Sequence, residues 1–329
     1  MRSRIDQHST QFNSMAPSKE NLLILGGTGY IGSYILDQIV KAKDSFGNIA
    51  IFTSPKTAET KSDLLDSLRA KGVGVIVGNV QKPEDLLKAF QGVDTVISAV
   101  GRMAIGEQVE WIKLAEQAPT VKRFFPSEYG TDIEYGPESA NEPPHQQKLK
   151  VRAALKETSG LEYTYVVTGP YADVGGYLGA APQAPQIGSF NVKEKKAVLI
   201  GDGNGKISLT TPDDVGKLVV KALLHPEAAR NRALKVNSFT TTPAEIVAEF
   251  EKQTGDKWSV SYTTLEMVRE LEEEAYANKN PASTVFTLKR IWGEGGTLYE
   301  KRDNHLIDAE DTETLADAVK KTIATQLAA

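Results

Sequence analysis

Short apolar runs alternate with amphipathic stretches along the first half of the chain. Leu22-Leu23-Ile24-Leu25 is uninterruptedly apolar, as a strand buried on both faces requires. Ile31, Ile35, Leu36, Ile39 and Val40 follow at the spacing of one helix face. The same alternation predicts strands over 48–53, 72–77, 94–99, 122–126 and 163–168, and helices over 62–71, 83–90, 107–117 and 146–158. Ser159-Gly160 stands where a glycine cap would close the last of these. Repeated strand–helix–strand units imply right-handed crossovers and an α/β, doubly wound parallel sheet.

Beyond Thr168 the texture changes. Residues 169–188 are rich in Gly, Pro and Ala, which places a soft boundary near Pro170. Residues 21–170 then form the first domain and 171–329 a smaller, divergent α/β region, with some segments returning to the first sheet. Thr211-Pro212-Asp213-Asp214 and Thr242-Pro243-Ala244-Glu245 each carry a hydroxyl, a proline and an acid in the order of a capped helix start. A strand over 233–237 lies between them, and helices follow over 265–276 and 313–326. Ile200 to Gly205 reads as a turn between short strands. It lacks the Gly-Lys-Ser/Thr ending of a phosphate loop.

Composition narrows the function class. Hydrophobic residues make up 40 % and charged residues 25 % of the chain, as in an ordinary globular protein. A net charge of −5 gives no electrostatic footprint for nucleic acid or an anionic membrane, and no apolar run is long enough to cross a bilayer. With no cysteine there is no disulfide, thiolate metal site or cysteine nucleophile, which fits a reducing, cytoplasmic setting. His8, His145, His225 and His305 are scattered and make no metal constellation. Residues 1–20 are polar, lack the apolar core of a signal peptide and read as a disordered tail, with Met15 a possible functional start. The partner implied is a small molecule, bound by a monomer or homodimer.

The chemistry centres on Gly26-Gly27-Thr28-Gly29-Tyr30-Ile31-Gly32, which follows the first strand and opens the first helix. Strand, glycine turn and helix N-terminus together suit the pyrophosphate of a dinucleotide. The glycines fit either Gly27-x-Gly29-x-x-Gly32 or Gly26-x-x-Gly29-x-x-Gly32. The end of the second strand, where an adenosine ribose is read, offers Thr53, Ser54 and Lys56 and no acid before Glu59. Hydroxyls and an ammonium accommodate a 2′-phosphate, so NADP is favoured over NAD; the competing view is a polar turn with a solvated lysine. Ser98, Ala99, Val100 and Ser127, at later strand ends, should border the nicotinamide half. None of the 11 tyrosines has lysine four residues on, so the Tyr-x-x-x-Lys pair of ordinary short-chain dehydrogenases is missing.

Five segments occur together in order: the glycine turn; Val121-Lys122-Arg123-Phe124-Phe125-Pro126-Ser127-Glu128-Tyr129-Gly130; Gln147-Lys148-Leu149-Lys150-Val151-Arg152; Tyr163-Thr164-Tyr165-Val166; and Gly201-Asp202-Gly203. Over residues 20 to about 240 the chain resembles the isoflavone-reductase-like branch of the NmrA-like, atypical short-chain dehydrogenases. The resemblance implies a Rossmann domain holding NADPH, a divergent C-terminal region over the substrate, and one lysine in place of the missing pair. The position matching that lysine is Lys148. Where these reductases carry arginine after the second strand, this chain has Thr53-Ser54. Partial burial beside the nicotinamide would lower the Lys148 pKa from about 10.4 toward ~7–8, suiting it to move a proton.

The resulting expectation is an NADPH-dependent reductase acting on an electrophilic carbon of a small, mostly apolar aromatic or heterocyclic molecule. Met103, Glu128, Tyr129, His145, Tyr171, Tyr177, Phe286 and Trp292 are the candidate substrate contacts, with His145 more simply a surface histidine. The competing expectations are a non-catalytic NAD(P)-binding redox sensor acting through a protein partner, and a redox-neutral enzyme on the same fold.

Overall fold

A computed structural model describes residues 19–299 and 301–329. Most of the expected tail, including Met15, lies outside the described residues. Glu20, at its end, is held: Arg123 Nη1 donates to its carboxylate at 3.0 Å, and the Thr95 hydroxyl donates at 2.9 Å.

The first half runs β1 (Leu22–Leu25), α1 (Tyr30–Lys41), β2 (Ile49–Thr53), α2 (Pro55–Thr60), α3 (Ser62–Ala70), β3 (Gly74–Val77), α4 (Pro83–Ala89), β4 (Thr95–Ser98), α5 (Gln108–Gln117), β5 (Arg123–Phe125), α6 (Gln146–Glu157) and β6 (Glu162–Val167). The second half adds β7 (Ser189–Asn191), β8 (Lys196–Ile200), β9 (Ile207–Leu209), α7 (Pro212–Leu224), α8 (Pro226–Ala229), β10 (Arg232–Lys235), β11 (Phe239–Thr241), α9 (Pro243–Thr254), β12 (Ser259–Thr263), α10 (Leu265–Ala277), α11 (Ser283–Gly293) and α12 (Leu315–Ala328).

Seven strands form one parallel sheet in the order β10-β6-β5-β4-β1-β2-β3. This is the Rossmann-type α/β fold expected from the alternating pattern. Alternate β1 side chains serve opposite faces. Leu22 and Ile24 join Ile35, Leu36 and Ile39 of α1 and Val215, Leu218 and Val219 of α7, while Leu23 and Leu25 join Leu86, Trp111, Ile112, Val151 and Leu155 on the other side. Each such side chain contributes about 1.5–3 kcal/mol on full burial, so the apolar run of β1 anchors both layers.

The C-terminal region has its own core, in which Tyr177, Phe190, Leu199, Phe250, Trp258 and Val319 meet between β7, β8, α9 and α12. Its strands are shared between the small sheets β12-β8-β7 and β11-β9, while β10 returns to the main sheet. The expected capped starts are present. Thr211 accepts the Asp214 N–H, and Thr242 and Glu245 form a reciprocal capping box. A third cap, not expected from the sequence, is the capping box of Thr314 with Asp317.

Two local expectations are corrected. α6 does not end on Gly160. Its cap is Thr158, in extended conformation, whose hydroxyl and N–H both return to Leu155 O, so no left-handed glycine is needed. The polar segment after β2 is no simple turn either: Ser54 accepts the Thr57 N–H at 3.1 Å and nucleates the short α2.

Candidate active site

β1 lies between β2 and β4, where the connections diverge to opposite sides of the sheet and open a crevice beyond the strand ends. The glycine turn occupies that crevice. Gly26 has φ +80°, and a Cβ there would stand 2.6 Å from Ala99 O, so the ends of β1 and β4 nearly touch. A Cβ on Gly32 would lie 2.1 Å from Gly26 O, so the helix starts directly on the turn. Gly32 belongs to either frame, and the demand at Gly26 selects Gly26-x-x-Gly29-x-x-Gly32. Gly29 caps α1 without a side-chain hydrogen bond, and no acid stands in the first turn. The N–H groups opening α1, at Tyr30, Ile31 and Gly32, therefore face the crevice with the positive end of the helix dipole.

The neighbouring strand ends are tied together. Ala99 N–H donates to Leu25 O at 2.8 Å, the Ser127 hydroxyl to Val100 O at 2.8 Å, and Ser127 N–H to the Gln108 side chain at 2.9 Å. Ser98 is fully buried.

At the end of β2 the expected residues separate. Thr53 is buried, the Ser54 hydroxyl is used in capping, and Lys56 is exposed on α2. The cation that reaches the turn is Lys61, whose Nζ donates to Thr28 O at 2.8 Å. Sequence reasoning missed it because its partner is 33 residues away and its own flanks read only as a helix start.

Lys148 stands in the first turn of α6, after the tight turn Pro143–His145. Its Nζ reaches back past β5, donating to Glu128 O at 2.5 Å and lying 3.7 Å from Glu128 Oε2. Only 16 % of its side chain is exposed, and the Glu128 carboxylate is buried. One helical turn on, Arg152 donates to Glu128 Oε1 at 2.8 Å and to Glu134 at 2.7 Å, with its guanidinium over the Tyr165 ring. Burial lowers the Lys148 pKa, the cations Arg152 and Arg102 add to the shift, and Glu128 opposes it. The result is an amine that yields its proton more readily than a free lysine, at the carboxyl end of the sheet.

The remaining candidates divide. Tyr30 and Tyr171 pack with ring centroids 6.1 Å apart; the Tyr171 hydroxyl donates to Tyr129 O at 2.5 Å, and the Tyr30 hydroxyl donates to Asp173. The loop after β6 thus lies against the glycine turn. The Tyr129 side chain itself joins the main core. Tyr177 and Trp292 meet at 5.9 Å, and Trp292 Nε1 donates to Thr131 at 2.9 Å, close to Gly130 and so to the Lys148 side of the sheet. Met103 is 96 % exposed and faces solvent. Phe286 packs in a separate small cluster with Ile187 and Ala275, because α11 turns that face toward α10. His145 is not a surface histidine. It is buried edge-on to Tyr135 with Nδ1 2.8 Å from Ser139 O, and burial lowers its pKa.

The other buried amine, Lys289 on α11, also escaped notice in the sequence. Burial pulls its pKa down to about 8. In the unfolded chain a lysine holds its proton to about 10.4. The unfolded state therefore binds more protons between these values, and stability rises with pH across that window. Urea unfolding at about pH 7.5 and 9.5 should show this increment in the wild type and lose it in Lys289→Met.

Among the described residues no group of side chains could hold a metal ion, and no helix is long and apolar enough to cross a membrane. A family model described as the NmrA-like family matches residues 18–320. The isoflavone reductase of Pisum sativum is 34 % identical over 300 residues, covering 86 % of this chain and 90 % of that protein. A phenylcoumaran benzylic ether reductase of Pyrus communis is 33 % identical over 277 residues, covering 82 % and 84 %. A solved isoflavone reductase superposes with TM-score 0.75 at 25 % identity, over 92 % of this chain and 99 % of that one. Leucoanthocyanidin reductase of Vitis vinifera, solved as a binary complex with NADPH, superposes with TM-score 0.76 at 22 % identity over the same shares, a likeness of fold. With the glycine turn, the Pro-Ser-Glu-Tyr-Gly loop and the lysine helix converging on one sheet edge, the chain belongs to the NmrA-like family, in its isoflavone-reductase-like branch.

Proposed function

We propose that this oxidoreductase uses NADP(H) and reduces an electrophilic carbon, of the conjugated alkene, quinone-methide or imine type, in a small and mostly apolar aromatic or heterocyclic molecule. The observation that carries this reading is the Lys148 amine, largely buried, lowered in pKa and held at Glu128 O beside the strand ends. The Vitis vinifera fold neighbour binds NADPH, and the relatives of Pisum sativum and Pyrus communis are named as reductases.

The residues present fit the dinucleotide. The cradle at Gly26 and Gly32 has no room for a Cβ, and the N-terminus of α1 has no side chain of its own to satisfy it. Gly26 to Gly32 would hold the pyrophosphate, Lys61 would approach the 2′-phosphate, and Ala99, Val100 and Ser127 would border the nicotinamide. NADPH, when bound, supplies the hydride. Lys148 holds the proton needed by the substrate atom that gains the electron pair, and its exposed edge lets it be reprotonated from water. Glu128 and Arg152 fix where that amine stands.

Consumption of NADPH, followed by its absorbance with a panel of phenylpropanoid- and flavonoid-like acceptors, tests the reading; binding of NADPH without turnover of any acceptor would count against it. Cofactor choice gives a second check. Lys61→Ala should weaken NADPH about tenfold while leaving NADH nearly unchanged, and the loss should shrink at high salt because the contact is exposed. Equal losses for the two cofactors would remove Lys61 from the 2′-phosphate.

A further inference from the structure

Lys289 is buried to 6 % exposure on α11, in the C-terminal region. Its nitrogen lies 4.9 Å from the Tyr177 ring centroid and 5.5 Å from that of Trp292, and its one hydrogen bond among the described residues is a long 3.4 Å contact to Gly188 O. Burial is what lowers its pKa, and no acidic group among the described residues opposes it. At about 8 that pKa still leaves the amine about nine-tenths protonated at pH 7. A charged ammonium thus sits among aromatic faces with N–H donors unused. An ion buried in this way is costly unless something accepts those donors.

The space for an acceptor is beside it. A void of about 10 Å³ adjoins Lys289, the room of one water-sized group, in a shallow recess open to solvent. Its walls are Tyr177, Phe190, Val198, Ile200 and Pro243. The lining is apolar, and Lys289 is the charged group on it.

We propose that this recess binds a small carboxylic acid in its ionised form, one carboxylate oxygen entering the void to accept from Lys289 Nζ and the hydrocarbon part resting on Tyr177, Val198 and Ile200. A single cation among apolar walls matches an amphipathic monoanion. It disfavours a polyanion, whose further charges would face apolar walls, and a cation, which Lys289 repels. Neither the glycine turn nor Lys148 takes part, so the outcome is independent of whether the chain reduces anything.

Sodium butyrate, titrated into the full-length protein at constant ionic strength and followed by saturation-transfer NMR at the butyrate methyl, is the test. The expected result is saturable transfer in the wild type that weakens at least ~10-fold in Lys289→Met, the loss of one charge-assisted contact. Lys289→Gln, of similar length and uncharged, should weaken it likewise and serves if the methionine variant does not fold. In the wild type alone, butyramide, similar in shape without the charge, should bind at least ~10-fold more weakly than butyrate. No saturable transfer from butyrate, equal binding of butyrate and butyramide, or undiminished binding in a folded Lys289 variant would each overturn the proposal.

Discussion

Lys148→Ala should lower turnover by about 10²–10⁴-fold, the usual contribution of a positioned proton donor, while the dissociation constant for NADPH stays nearly unchanged. A proton donor acts in the transition state, so the loss belongs in kcat and not in cofactor binding. The neighbouring Lys150→Ala is the control: Lys150 is exposed on α6, and its loss should leave turnover intact. The pH profile separates a proton donor from a group that merely props up the site. In reduction the protonated amine is the working form, so kcat falls as pH rises through its pKa. Burial and the cations Arg152 and Arg102 lower that pKa, so the fall should come below the value of about 10.4 for a free lysine. A folded Lys148→Ala protein with full turnover and an unchanged profile would sink the assignment. If the variant lost NADPH affinity in step with rate, Lys148 would be holding the cofactor and not moving a proton. A protein partner that distinguishes the NADP and NADPH forms, with no acceptor reduced, would favour the sensor alternative.

Gly29→Asp should separate stability from binding in the opposite way. Gly29 is the N-cap of α1, where aspartate is among the preferred residues because its carboxylate accepts a first-turn N–H. The melting temperature of the apoprotein is therefore expected to hold or rise, provided the new Cβ, 3.1 Å from Gly26 O, is absorbed by a small shift. The same carboxylate would occupy the N–H groups offered to a pyrophosphate and oppose its charge. Like charges in contact cost several kcal/mol, so NADPH affinity should fall by at least ~100-fold. Calorimetry on a folded variant showing unchanged NADPH affinity would place the dinucleotide elsewhere. An unfolded variant would show that the Gly29–Gly26 approach cannot relax. Gly29→Ser, a smaller uncharged cap, would then be the informative substitution.

The parts of this protein legible in its sequence are those set by neighbours a few residues apart. The apolar run Leu22–Leu25, the helix face Ile35, Leu36 and Ile39, and the caps at Thr211 and Thr242 follow from local periodicity and from hydroxyls beside orphan N–H groups. Strand, turn and helix in succession likewise place the glycines at the end of β1. Even so, only packing chose between two glycine frames, because Gly26 and not Gly27 has a positive φ and stands against Ala99 O.

What tertiary structure alone decided is which distant side chains share a site. Lys61 meets Thr28 across 33 residues, and Lys148 meets Glu128 across 20. Lys289 reaches Gly188 across 101. A lysine on an amphipathic helix looks solvated when read by period alone. Whether it is depends on what the adjoining layer brings against it. Met103 and Phe286 show the converse: both suit a pocket wall by composition, yet one faces water and the other a satellite core. Burial of a charge is a property of packed layers, and periodicity along one element carries no information about the layer that will cover it.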